Sequence, residues 1–151
     1  MGNDFDAFVN QLQDQIFEET RSAYGQVAYE RWRSPRYVGK LDEADGAAAV
    51  KGSCGDTIEI YLKFKGDAVS RASFTTDGCG SSLVCGSFAA ETAIGKRPEE
   101  ILDVTGETIL HILGGLPDED RHCAFLAVDA LHQAVDDYMR RQTARNRERI
   151  R

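Results

Sequence analysis

The residues able to do chemistry fall at three points of the chain. Cys54 and Asp56 lie in Gly52-Ser53-Cys54-Gly55-Asp56, Cys79 in Asp77-Gly78-Cys79-Gly80-Ser81-Ser82, and His122-Cys123 directly after Arg121. Thiolates and imidazole are the ligands of zinc and of iron–sulfur centres, and a carboxylate can serve beside them. Cys54 and Cys79 have glycine neighbours, where the backbone can approach a bound ion closely. Cys123 instead enters at the start of a helical pattern, where unpaired amides and the positive end of the dipole favour thiolate over thiol. Five donors for a four-coordinate site leave a surplus, and a displaceable oxygen ligand such as Asp56 suits a site that exchanges its contents. A closed structural zinc site more often carries paired CxxC knuckles, which this chain lacks. From spacing alone two readings stand: a metal site built from Cys54, Asp56, Cys79, His122 and Cys123, and a plain one with His122 an exposed turn residue and Cys123 a small core hydrophobe. Cys85 follows Cys79 inside a helical pattern and reads as core; His111 and His132 are single histidines with no assigned role.

These residues need elements to gather them. The run from Ala124 to Met139 repeats Ala124, Ala127, Val128, Leu131, Val135 and Tyr138 at spacings of three and four, which predicts an amphipathic helix with His122 and Cys123 in its first turn. Residues 3–32 read as one long helix or two, with Gly25 as the break. Its stripe of Phe5, Phe8, Val9, Leu12, Ile16 and Phe17 is expected to pack in the core, a partner or dimer contact being the alternative. Pro35 ends the helical pattern. A weak strand over Ala47 to Val50 precedes a strong one over Thr57 to Lys65, in which Ile58, Ile60, Leu62 and Phe64 alternate with Glu59, Tyr61, Lys63 and Lys65. Gly66-Asp67 turns the chain into a third strand over Val69 to Thr76. Helices follow over Ser81 to Ile94, Pro98 to Leu102 and Glu107 to Leu113, with Gly114-Gly115-Leu116-Pro117 as the last break. The fold class is α+β: a three-stranded antiparallel sheet with helices packed on one face, a long N-terminal helix and a long C-terminal helix. The domain reading is an N-terminal helical extension over 1–27, a central domain over 28–140 and a basic tail over 141–151.

Composition narrows the classes. The chain has 151 residues, 42% of them hydrophobic and 28% charged, an ordinary balance for one globular domain. It has no apolar run long enough for a membrane span, and Asp4 and Asp6 stand where a secretory signal would be basic, so a cytoplasmic protein is expected. The net charge of −7 argues against nucleic acid as a partner. The arginine-rich end, RRQTARNRERIR, reads as a solvated, frayed helix end, contact with an acidic partner or RNA being the alternative. In such a compartment cysteines serve metal binding or reactivity more often than disulfides.

Taken in order, Pro35-Arg36-Tyr37-Val38-Gly39, Cys54-Gly55-Asp56, Gly78-Cys79-Gly80-Ser81, Gly95-Lys96, Leu116-Pro117 and His122-Cys123-Ala124 closely resemble the IscU/NifU-type iron–sulfur cluster assembly scaffolds, over residues 28 to 140. The resemblance implies a scaffold, not an enzyme, that builds a 2Fe-2S cluster from iron and from persulfide sulfur supplied by a cysteine desulfurase, then passes it to apo-protein acceptors. It implies Cys54, Cys79 and Cys123 as cluster ligands, Cys123 as the main persulfide acceptor, and Asp56 and His122 as alternative ligands that tune release. Zinc is the implied occupant of the cluster-free form, and a homodimer is left open. The family's chaperone-reading segment, Leu-Pro-Pro-Val-Lys, is replaced here by Leu116-Pro117-Asp118-Glu119-Asp120, so chaperone binding by that route is not expected. Two rival readings are a zinc-dependent sulfur acceptor of the SufU branch and a structural zinc-binding interaction domain. The SufU branch carries an insertion after the second cysteine and a basic residue near the histidine position; this chain has an uninserted interval and keeps His122.

Overall fold

The computed structural model describes residues 2–78 and 80–150. In chain order it contains α1 (Gly2–Tyr24), α2 (Gln26–Arg33), β1 (Gly46–Lys51), β2 (Thr57–Lys65), β3 (Ala68–Thr76), α3 (Gly80–Ala93), α4 (Pro98–Leu102), α5 (Gly106–Leu113), a 3-10 turn (Asp118–Asp120) and α6 (His122–Ile150). None of the helices is long and apolar enough to cross a membrane, among the described residues.

The alternation read in β2 has its expected cause. Ile58, Ile60 and Leu62 are fully buried on the face that meets the helices, where each contributes about 1.5–3 kcal/mol. The strands pair antiparallel in the order β1-β2-β3, and Gly66, at φ 66°, makes the left-handed turn of the β2–β3 hairpin. A register shift between Lys63 and Phe64 frees Phe64 to stack on Tyr138 of α6, ring centroids 3.7 Å apart. Tyr61 departs from simple alternation: it is buried on the opposite face, between Ala47 and Ser73 in register, and its hydroxyl donates to Glu59. The outer edge of β3 is covered by Tyr37-Val38-Gly39, whose backbone exchanges hydrogen bonds with Phe74: Phe74 N–H to Tyr37 O at 2.9 Å, Gly39 N–H to Phe74 O at 2.8 Å.

Two helices build the core on that sheet. The central one, α3, is buried on nearly all sides, as expected of a helix apolar around its whole circumference. Its partner α6 runs back along β1, close enough at Gly46 that a side chain there would collide with Ala134 and Tyr138. Alanines 89, 90 and 93 on α3 and 124, 127, 130 and 134 on α6, all fully buried, permit that approach.

The N-terminal expectation is half corrected. Gly25, at φ 86°, does separate α1 from α2, but Phe5, Phe8, Leu12 and Ile16 are exposed rather than in the core. Only the end of α1 is tied down: Phe17 meets Tyr29 and Trp32 edge-on at 6.4 and 6.5 Å. Helical spacing guarantees a stripe; it does not supply a surface to bury it. At the other terminus α6 continues through the arginine-rich segment to Ile150. The 3-10 turn over Asp118–Asp120 lies where only a break was expected, Asp120 N–H bonding to Pro117 O at 2.8 Å.

Candidate metal centre

The loop between β1 and β2 carries Cys54 and Asp56. Gly55, at φ 94°, lets it double back, with Gly55 N–H donating to Gly52 O (3.0 Å) and Gly52 N–H to Asp56 O (2.8 Å). A second set of bonds fastens this loop to the end of β3: Thr57 N–H to Asp77 Oδ1 at 2.7 Å, Thr76 Oγ1 to Thr57 O at 2.7 Å, and Gly78 N–H to Thr76 Oγ1 at 3.0 Å. A Cβ at Gly78 would stand only 2.6 Å from Asp56 Oδ2 and 2.7 Å from Ser82 Oγ, so glycine is what allows the two loops to touch. Cys79 lies outside the described residues; Gly78 before it belongs to this loop pair and Gly80 after it opens α3.

The third arm is the start of α6, which α5 and the Asp118–Asp120 turn deliver to the same end of the sheet. His122 Nε2 stands 3.2 Å from Cys54 Sγ and 3.6 Å from Cys123 Sγ. Cys54 and His122 are exposed, whereas Cys123 is completely buried. Asp56 reaches Cys123 indirectly. Ser82, fully buried in the first turn of α3, donates from Oγ to Asp56 Oδ2 at 2.9 Å and lies 3.5 Å from Cys123 Sγ. One hydroxyl proton can face either the carboxylate or the sulfur, so Ser82 can accept from a thiol while bound to Asp56, or turn to donate to a thiolate.

Of the five sequence-derived candidates, four are therefore drawn to one end of the sheet, directly for Cys54, His122 and Cys123 and through Ser82 for Asp56. They are linked in pairs, and among the described residues no three His, Cys, Asp or Glu side chains form a ready ligand set. Ser82 was not singled out from sequence. The available signal was its position, three residues after Cys79 in a helix start, where a hydroxyl faces back toward the preceding loop. Cys85, further along α3, is fully buried, as a core reading requires. His132 Nε2 lies 2.8 Å from Val104 O and has a structural partner remote from the thiols.

An α+β domain with cysteine loops and a helix start meeting at one sheet end defines a class that the comparisons identify. The family model described as NifU-like N terminal domain matches residues 23–145, and the chain belongs to that family. It is 40% identical over 119 residues to the protein named iron-sulfur cluster assembly scaffold protein IscU 1 of Archaeoglobus fulgidus, covering 78% of each chain. It is 33% identical over 122 residues to the scaffold protein IscU of Aquifex aeolicus, covering 79% of this chain and 78% of that one. Among solved structures, the N-terminal NifU-like protein of Brucella abortus superposes with a TM-score of 0.63 at 21% identity, over 80% of this chain and 97% of that one, a likeness of fold.

Proposed function

We propose that this protein is a scaffold on which an iron–sulfur cluster is assembled and from which it passes to apo-proteins, and that it is not an enzyme. The observation that carries this is the approach of two sulfurs, Cys54 Sγ at 3.2 Å and Cys123 Sγ at 3.6 Å, to His122 Nε2 at a partly exposed end of the sheet. The relatives named as cluster scaffolds are consistent with it. The donor set fits the cargo: thiolates hold iron, and imidazole and carboxylate are weaker alternatives that can be exchanged.

In finer detail, the cargo is a 2Fe-2S cluster, ligated by the thiolates of Cys54, Cys79 and Cys123, with Asp56 and His122 as exchangeable donors. Sulfur arrives as persulfide from a cysteine desulfurase: the Cys123 thiolate attacks the outer sulfur, and the desulfurase cysteine leaves as thiolate. Because Cys123 is buried, delivery requires this end of the sheet to open around it. Zinc occupies the same donors when no cluster is present.

The test is anaerobic incubation with ferrous iron, cysteine and a desulfurase. We expect the visible absorption of a 2Fe-2S centre, abolished by Cys54→Ala, Cys79→Ala or Cys123→Ala. A colourless protein that keeps one tightly held zinc throughout would overturn the proposal.

A further inference from the structure

We propose that α1 is a docking surface for the arginine-rich end of α6 of a second copy of this chain. At 3.6 residues per turn, Phe5, Phe8, Leu12 and Ile16 fall within an arc of about 80° on α1, and Asp4 and Asp6 stand on opposite flanks about 100° from Phe5. All four apolar side chains are exposed, Phe5 at 67% and Phe8 at 57%. The end of α6 carries the opposite sign. Exposed Met139 and Ile150 stand at the two ends of a line completed by Thr143 and Asn146, all four within an arc of about 60°, with Arg140 and Arg147 on one flank and Arg145 and Arg149 on the other.

The two stripes also match in length. Phe5 to Ile16 and Met139 to Ile150 each span eleven residue steps, about 17 Å of helix. Among the described residues Asp4, Asp6, Arg140, Arg145, Arg147 and Arg149 form no ion pair, whereas Arg141, on the back of α6, is used within the chain, to Asp137 at 2.8 Å and Ala44 O at 2.9 Å. These unpaired charges border the two lines. A pair of α1 helices would set aspartates against aspartates, and an anionic membrane would repel them too. Laid antiparallel, α1 and α6 bring Asp4 and Asp6 beside Arg147 and Arg149 and align their dipoles favourably. In a twofold pair each copy gives α1 and receives it, so the contact is made twice. This inference does not depend on what the thiols bind.

Sedimentation equilibrium tests it with exposed charge reversals that leave the core untouched. The wild-type protein is expected to self-associate, with the dissociation constant rising about tenfold or more between low and high salt as the flanking charges are screened. Asp4→Lys with Asp6→Lys, and separately Arg145→Glu with Arg149→Glu, each abolish the association. Mixing these two variants restores it, because lysine-bearing α1 then meets glutamate-bearing α6 and the unaltered helices meet each other. A monomer at every concentration, self-association indifferent to either reversal, failure of the mixture to recover, or association that disappears on ribonuclease treatment overturns the proposal.

Discussion

Ser82 joins two donors of different hardness, the Asp56 carboxylate at 2.9 Å and the Cys123 sulfur at 3.5 Å. A partner that orients a ligand without binding the metal typically changes affinity or activity by about 10–100-fold when removed. Ser82→Ala is accordingly expected to alter the rate of cluster transfer to an apo-ferredoxin by about tenfold, with the far-ultraviolet spectrum unchanged. Asp56→Ala is expected to slow transfer and lengthen the lifetime of the bound cluster if, as proposed, Asp56 is an exchangeable oxygen donor. Transfer followed by circular dichroism reads both, and wild-type kinetics in both variants would place Asp56 and Ser82 outside the release step. Candidate donors at this scale were legible in the sequence, since residue type sets ligand chemistry. That Asp56 meets Cys123 through an intervening hydroxyl was not, because Ser82 lies 26 positions away along the chain.

Among the elements, α2 is held to α3 by Arg31, which donates to Ser87 Oγ (2.9 Å) and Glu91 (3.1 Å) while its guanidinium lies 3.8 Å from the Phe88 ring centre. Hydrogen bonds to a charged group are worth about 1.5–3 kcal/mol each when little exposed, so Arg31→Ala should destabilise by about 2 kcal/mol in urea titration. A double cycle with Glu91→Ala should return a coupling of about 0.5–1.5 kcal/mol, and additivity would show that the ring contact dominates. Within β2, burial first and donation to Glu59 second push the Tyr61 phenol above its ordinary 10.0. A raised folded-state value means that this stability is complete below pH 10.0 and is lost as pH rises through the folded value. Ultraviolet titration of the folded protein should therefore show one late-ionising tyrosine, absent in Tyr61→Phe. The strands and helices themselves were readable from period and punctuation. Tyr61 was expected on a solvent face, and its burial depends on Ala47 and Ser73 in the neighbouring strands, a pairing that no local pattern reports.

For the whole molecule, stability should reside in the sheet with α3 and α6, since Phe74, Leu131 and Val135 are fully buried there and the outer part of α1 buries little. Deleting residues 1–12 is expected to cost no more than about 0.5 kcal/mol, a change of about 2 °C in the midpoint at high salt and low concentration. A larger loss would mean that the aromatic contacts of Phe17 depend on the outer turns.

At the site the division between sequence and tertiary structure is plain. Residue chemistry and short-range period were enough to nominate Cys54, Asp56, Cys79, His122 and Cys123 as candidate donors, and to place glycines around the first two thiols and a helix start under the last. It took the folded chain to show that Cys54 and His122 are exposed while Cys123 is buried, that Gly78 lets Asp56 approach Ser82, and that the phenylalanine stripe of α1 faces outward. Burial and contact are properties of surfaces brought together from distant parts of the chain, and a pattern along one segment specifies the face it offers but not what meets it.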